Sequence, residues 1–369
     1  MRITLVKKTG LLIVLFIGLS ATGFGQSFRK SRSIVKSYKV DNTTEILVKN
    51  KYGNIQLVTW DKDSIKFEIK IEVKAKKQTK ANSNFDRIDI EFVASEYYIE
   101  AKTTFTGEGS FWTDVKDKTE SVFAGENKTQ INYIVYLPSN LSLEIENKYG
   151  NIYSSDYDGP VNIILSNGDI KSHSFNGRTT INLRYGYAHI NSINRGELNL
   201  SYHSELNLNQ ATDLKIDSRS SRISIDKADN LNITSNKDKY YLDEVKIIKA
   251  STSFSHLEIQ QLGKQLTITG KYGDLDIKNL DNKVTSVNFT FNNTDISIDK
   301  EANQVFDIEL TYDEDAELYF SDEMKNKSTT KENEEEKLVK TKGILGSGNS
   351  PSIRIKGTVK SGTLRINDK

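Results

Sequence analysis

Apolar and polar residues alternate in short runs along most of the chain. The clearest run is 65–73, where Ile, Phe and Val alternate with Lys and Glu. A period of two places one face of a β-strand in a core and the other in solvent. Similar runs occur at 88–93, 97–101 and 131–137. The pattern predicts a protein of short strands, and only segment 74–87 leaves a helix open.

A repeated phrase sets a longer period. Lys-Tyr-Gly-Asn-Ile occurs at 51–55 and 148–152, and Lys-Tyr-Gly-Asp-Leu occurs at 271–275. Between these copies, an aromatic or turn residue recurs about every 17–20 residues, with two apolar groups per period. The recurring positions are Tyr149, Asn167, Tyr185, Tyr202, Ser220, Asp238, Phe254, Tyr272, Asn292 and Asp313.

This period predicts an all-β, single-chain β-solenoid that resembles a parallel β-helix. A coil of about 17–20 residues cannot bury its inward side chains alone, so neighbouring coils must stack on it. A pair of β-sandwiches and a propeller remain alternatives, although a propeller blade needs about 40 residues. The predicted organisation begins with a signal segment (1–25) and a β-rich region (26–144) that contains a long insertion (81–130). The solenoid repeats (145–320), a charged loop (321–343) and closing strands (344–369) follow.

The first 25 residues have the layout of a secretory signal peptide. Arg2, Lys7 and Lys8 precede a short apolar stretch at 11–19, and small residues follow up to Gly25. The apolar stretch is shorter than the ~20 residues of a membrane-spanning helix. We expect cleavage after Gly25, with an uncleaved anchor as the alternative, and no later transmembrane segment. The expected location is the periplasm, the cell surface or the extracellular space.

The amino-acid composition excludes several kinds of site and partner. The chain has no Cys, which excludes disulfides, thiol catalysis and thiolate zinc sites. Its formal net charge of +1 gives no global field that would favour nucleic acid as a partner. Hydrophobic residues make up only 36%, which fits the thin core of a solenoid.

The chain resembles a bacterial family of adhesin-like β-solenoids. This family includes exported and head-domain autotransporter-adhesin-like proteins of Bacteroidetes type. The resemblance rests on the signal segment, the Asn-Lys-Tyr-Gly-Asn-Ile phrases at 50–55 and 147–152, the Ile/Leu coils after them, and Ser-Gly-Thr-Leu-Arg-Ile at 361–366. It implies a β-solenoid and a binding role, and it supplies no catalytic residues.

No catalytic site, metal site or cofactor is predicted. His173, His189, His203 and His256 occupy different positions within the repeat, so they are not expected to converge on a metal. The repeated Asp residues fit turns that they stabilise by local hydrogen bonds. The sequence contains no phosphate-binding glycine loop in a strand-to-helix setting and no Gly-x-Ser-x-Gly phrase.

The candidate binding residues are aromatic side chains that recur at whole multiples of the coil: Tyr149, Tyr185, Tyr202, Phe254 and Tyr272. Stacked along one edge, they would offer a flat surface to a glycan or to an envelope protein. The alternative is that the rings only stabilise a corner by packing on one another. Lys148, Arg184 and Lys271 precede three of the rings and are predicted to form a basic line beside them.

These observations predict an exported, non-enzymatic, adhesin-like binding or scaffold module of the bacterial cell envelope. One alternative is a polysaccharide-active enzyme on a β-helix, which would need carboxylates and basic residues clustered in one groove. Another is an envelope-stress regulator that acts through protein contacts.

Overall fold

The structure is a computed structural model that describes residues 27–106, 128–333, 337–348 and 350–369. The predicted signal segment and the middle of the predicted 81–130 insertion lie outside the described residues. Among the residues described, no helix is both long enough and apolar enough to cross a membrane.

The described residues form 23 strands and one short helix. The N-terminal elements are β1 (Phe28–Lys39), β2 (Glu45–Lys51), β3 (Ile55–Thr59), β4 (Ser64–Ala75), α1 (Gln78–Asp86), β5 (Ile88–Ala94), β6 (Tyr98–Phe105) and β7 (Lys128–Leu137). The central strands are β8 (Ser142–Lys148), β9 (Ile152–Tyr157), β10 (Val161–Ser166), β11 (Ile170–Arg184), β12 (Tyr187–Ser201), β13 (Glu205–Arg219), β14 (Arg222–Asn236), β15 (Lys239–Ser253), β16 (His256–Ile277) and β17 (Ser286–Lys300). The C-terminal strands are β18 (Phe306–Asp313), β19 (Glu317–Phe320), β20 (Lys325–Asn333), β21 (Leu338–Leu345), β22 (Ile353–Lys360) and β23 (Thr363–Asp368).

The central strands confirm the prediction of a β-solenoid. Each of β11 to β15 begins on one face of the stack, bends in its middle and ends on the opposite face. Each pairs in parallel with the strand one coil later: Ile170 lies opposite Ala188 and Ile181 opposite Leu198. We call the half before the bend the front face and the half after it the back face.

The core is a narrow stack of aliphatic side chains between the two faces. Because side chains alternate along a strand, every second residue points inward, as Ile181 and Leu183 do on the back face. Both are at most 1% exposed, and both belong to one apolar cluster that runs from Val40 to Ile366.

The two edges of the stack differ. At the first edge, where the back face of one coil leads to the front face of the next, a corner residue has a left-handed backbone with φ of 50–65°, and His203 after Tyr202 also has a positive φ. These corner residues are Tyr52, Tyr149, Asn167, Tyr185, Tyr202, Ser220, Lys237, Phe254, Tyr272, Asn293 and Ser361. We call this edge the left-handed edge. The bends within the strands, such as the register shift between Phe175 and Arg178, form the opposite edge.

The predicted repeat positions are correct except at three coils. The corner residue is Lys237 rather than Asp238, and Asn293 rather than Asn292. Asp238 is instead the buried residue after the corner. Asp313 ends β18, and its φ is not positive.

Antiparallel strands close the N-terminal end. The β2–β3 coil stacks in parallel on β8 and β9, so parallel stacking begins before residue 145. Beyond that coil, β6 pairs with β2 and β7 pairs with β3. β5, β4 and β1 then add antiparallel strands, and α1 packs on β1 and β4. The described part of 81–130 is therefore the end of α1, a β5–β6 hairpin and the first three residues of β7.

Antiparallel strands also close the C-terminal end of the solenoid, and one expectation for this end was wrong. β22 and β23 insert between β17 and the β18–β19 coil. The charged segment 321–343 is not simply a loop, because β20 and most of β21 lie in it as antiparallel strands. β20 is polar because it is an edge strand, where charged side chains discourage pairing with another chain.

Candidate functional site

The left-handed edge is built by the repeated Asn-Lys-Tyr-Gly-Asn-Ile phrase. The Tyr adopts φ near +60°, and the Gly that follows allows close contact with the coil below. A Cβ on Gly150 would lie 1.9 Å from the carbonyl oxygen of Gly53. The buried Asn147 side chain donates hydrogen bonds to the carbonyls of Gly53 (3.0 Å) and Gly150 (2.9 Å). The residues of this phrase therefore allow one corner to pack tightly on the corner of the neighbouring coil.

The middle coils replace this glycine stack with buried Ser and Asp residues. Asp238 is 2% exposed. Its carboxylate accepts hydrogen bonds from the hydroxyls of Ser218 (2.8 Å) and Ser235 (2.7 Å) and from the backbone N–H of Ser221 (2.7 Å). Burial raises the pKa of Asp238, although these hydrogen bonds oppose the shift. The network connects successive corners and lies beneath the exposed residues.

The aromatic corner residues stack face to face in pairs. Tyr185 and Tyr202 have ring centroids 5.1 Å apart, and Phe254 and Tyr272 have centroids 4.9 Å apart. These four side chains are 48–54% exposed. Tyr149 stacks on Tyr52 with centroids 5.4 Å apart. Sequence reasoning did not include Tyr52, although the first copy of the repeated phrase contains it.

The rings do not form an unbroken ladder. Asn167 separates the Tyr149 ring from Tyr185, and two corners, Ser220 and Lys237, separate Tyr202 from Phe254. The structure thus places all five predicted aromatic residues on the left-handed edge, but as pairs with gaps between them.

The predicted basic line is not continuous. Lys148 is buried, with its ammonium group 5.2 Å from the centroid of the Tyr149 ring. Arg184 and Lys271 are exposed beside their rings. Arg219, which the prediction omitted, occupies the same position in its coil and is exposed.

Of the four histidines, His256 has two acidic neighbours that could share a ligand with it. Ligand atoms of His256, Asp274 and Asp276 lie within 4.8 Å of one another on adjacent coils. Asp276 also lies 3.6 Å from the Lys278 ammonium group. Sequence reasoning missed this group because it compared histidines only with one another. His173 hydrogen-bonds to Asp156 on the front face.

The two described carboxylates whose pKa is raised are both buried. A glycosidase acid needs a raised pKa and contact with its substrate. Hydrogen bonds from Ser174 and His173 instead lower the pKa of Asp156. Burial raises the pKa of Asp238 and Glu146, but their exposures are 2% and 6%. Neither side chain is open to a polymer.

Comparisons with known proteins give only remote likenesses. No family model and no curated protein matches the chain. A candidate cell adhesion protein from Clostridium sporogenes is 8% identical, with a TM-score of 0.17, over 92% of this chain and 100% of its own. A candidate lipid-binding protein from Parabacteroides distasonis is 11% identical, with a TM-score of 0.30, over 92% and 96%. A candidate adhesin from Bacteroides fragilis is 11% identical, with a TM-score of 0.21, over 91% and 97%. Similarity this low carries no functional inference.

Proposed function

We propose that this protein is an exported, non-enzymatic binding module of the bacterial cell envelope, with an adhesin-like role. Its left-handed edge binds an extended glycan that lies along the solenoid axis. The observation that carries this proposal is the alignment of four half-exposed rings, Tyr185, Tyr202, Phe254 and Tyr272, in two stacked pairs on one edge.

Exposed aromatic rings in a row favour recognition over a purely structural role. A ring that served only to pack a corner would gain most from full burial, yet about half of each of these four side chains faces solvent. Contiguous exposed apolar surface commonly marks an interaction site. A stacked Tyr pair presents a flat apolar face together with hydroxyl groups, which suits the faces and hydroxyls of sugar rings.

Export is supported by the sequence of residues 1–25, and the absence of Cys is compatible with it. A chain without Cys does not depend on the redox state of its compartment.

The test is a glycan and envelope-polymer array probed with the full chain and with Tyr185→Asn/Tyr202→Asn/Phe254→Asn/Tyr272→Asn. Asn is the suitable replacement because Asn167 and Asn293 already occupy left-handed corners. We expect the chain to bind at least one glycan and the variant to lose that binding. The matched control is Tyr97→Asn, which removes a 73% exposed ring outside the edge.

The proposal fails if the chain binds no glycan, or if the variant and the Tyr97→Asn control bind like the unmodified protein. Release of reducing ends from a bound polymer would contradict the non-enzymatic assignment.

A further inference from the structure

The left-handed edge has a gap between its two half-exposed ring pairs, and a groove lined by charged and polar residues lies beside this gap. Between Tyr202 and Phe254 the corners carry Ser220 and Lys237 instead of rings. A groove of about 400 Å³ lies on the Tyr202 side of this gap. Its lining residues are His203, Ser204, Glu205, Ser220, Ser221, Arg222, Lys237 and Lys239.

The groove holds more positive charge than its one lining carboxylate, Glu205, balances, although Glu205 lies opposite Arg222 on the adjacent strand. Arg222, Lys237 and Lys239 are exposed, and Arg222 and Lys239 lie opposite each other on adjacent front-face strands. Within the described residues, none of the three side chains has a carboxylate within salt-bridge distance, and Glu205 is the one acidic residue of the lining. The Arg222 guanidinium lies 5.7 Å from the centroid of the Tyr241 ring.

Three cations elsewhere on the solenoid form ion pairs with carboxylates and serve as a comparison for this groove. Lys215 contacts Glu197 at 2.9 Å, Lys227 contacts Glu244 at 3.0 Å, and Lys246 contacts Asp229 at 2.7 Å. These pairs link neighbouring coils away from the left-handed edge. Three cations against one carboxylate leave a local excess of positive charge, which attracts an anion from outside the chain.

We propose that this groove, the cationic gap, is the subsite for the acidic group of an acidic polysaccharide. This inference rests on the proposed glycan binding and names its substrate class. Parallel coils are ~4.8 Å apart, so the three steps from Tyr202 to Phe254 span about 14 Å. A sugar chain along the axis stacks on the Tyr185–Tyr202 pair, crosses the gap and stacks on the Phe254–Tyr272 pair. Its carboxylate or sulfate meets Arg222, Lys237 and Lys239 between them.

The alternation of rings and cations favours a polysaccharide over an anionic membrane. A lipid surface is wide and flat, and it would favour cations spread over a broad face. Here the three cations lie in one groove: Lys237 is a corner residue between the two ring pairs, and Arg222 and Lys239 lie two residues past their corners on the front face. An acidic sugar polymer carries flat ring faces and charges along the same narrow chain, so it matches both features.

The experiment compares polygalacturonate with its methyl ester, which has the same backbone without the charge. The variant is Arg222→Gln/Lys237→Asn/Lys239→Gln, with Asn chosen for the left-handed corner. The matched control, Lys215→Gln/Lys227→Gln/Lys246→Gln, removes the same charge from the paired cations. We expect the full chain to bind polygalacturonate at least tenfold more tightly than the ester, and the gap variant to lose this preference while the control keeps it. Melting temperatures identify any variant that fails to fold.

Three results would overturn the assignment. They are equal binding of the two polymers, no binding of either, and equal losses in the gap variant and the control. Tighter binding to anionic phospholipid vesicles than to polygalacturonate, lost in the gap variant, would assign the cationic gap to a membrane instead. A neutral glycan that binds the gap variant but not the ring variant would preserve the proposed function and refute only the acidic subsite.

Discussion

At the scale of residues, the repeated phrase forms the tight corner of a coil, independently of the binding role proposed for it. The left-handed conformation is costly for most residues, and Asn tolerates it better than aromatic residues do. Tyr nevertheless occupies this conformation at Tyr52, Tyr149, Tyr185, Tyr202 and Tyr272. The corner geometry requires a positive φ but no ring, as Asn167 and Ser220 show. The choice of a ring at these positions therefore needs a further reason, and both stacking of the rings on one another and the proposed glycan binding would supply one.

The buried Asp238 network gives a prediction about pH. Burial raises the folded-state pKa of Asp238 above its ordinary value of 3.8. The stabilising contribution of the protonated group is therefore complete below pH 3.8 and is lost as pH rises through the folded-state pKa. We expect the free energy of unfolding of the natural protein to fall, relative to Asp238→Asn, as pH rises from 4 to 7. Each unit of pKa shift corresponds to about 1.4 kcal/mol.

Urea unfolding at several pH values measures this difference. The Asn variant is the reference because it retains the shape of the side chain and cannot titrate. A difference that stays constant between pH 4 and pH 7, or grows in favour of the natural protein, would show that Asp238 is not held at a raised pKa.

At the scale of elements, the sequence allowed the strands to be predicted well, but not their partners. The alternation in 65–73 identifies a strand, yet nothing local shows that β4 pairs antiparallel with β1 and β7, outside the parallel stack. Pairing depends on contacts between distant segments. α1 has weak helical character in its sequence and is placed by packing on β1 and β4. β20 lacks an apolar alternation because it is an exposed edge, so composition alone made it resemble a loop.

A substitution at Asn167 tests whether a continuous row of rings improves binding. Asn167→Tyr would insert a ring between Tyr149 and Tyr185 and join two stacked pairs into a continuous row. Neighbouring corners already hold Tyr, and an aromatic pair contributes about 0.5–1.5 kcal/mol. We therefore expect the free energy of unfolding to change by less than about 1.5 kcal/mol, and the affinity for the glycan found on the array to rise severalfold.

Calorimetric titration and urea unfolding measure the two quantities. The control is Asn194→Tyr, which adds an exposed ring at the opposite edge. Unchanged affinity in Asn167→Tyr, or an equal increase in Asn194→Tyr, would contradict a role for the row of rings in binding.

At the scale of the whole molecule, the solenoid provides one edge on which similar corners repeat at a fixed spacing. The period predicted the stacking, the corner positions and the common edge of the aromatic residues. It could not predict which rings stack in pairs, that Lys148 is buried, or that Arg222, Lys237 and Lys239 converge, because these features depend on side chains from different coils. An edge with repeating corners suits a polymer of repeating units. Each further contact along the solenoid axis adds to the binding free energy, so a deep pocket is not required.

The dependence of affinity on ligand length tests this account most directly. Size-fractionated oligosaccharides of the bound glycan would be titrated against the full chain. The five coil steps from Tyr185 to Tyr272 span about 24 Å at ~4.8 Å per coil. The account predicts that affinity rises with length until the oligosaccharide covers this span and then reaches a plateau. The plateau should shift to shorter lengths in Phe254→Asn/Tyr272→Asn. Affinity that is independent of length, or identical in that variant, would contradict lateral binding along the left-handed edge.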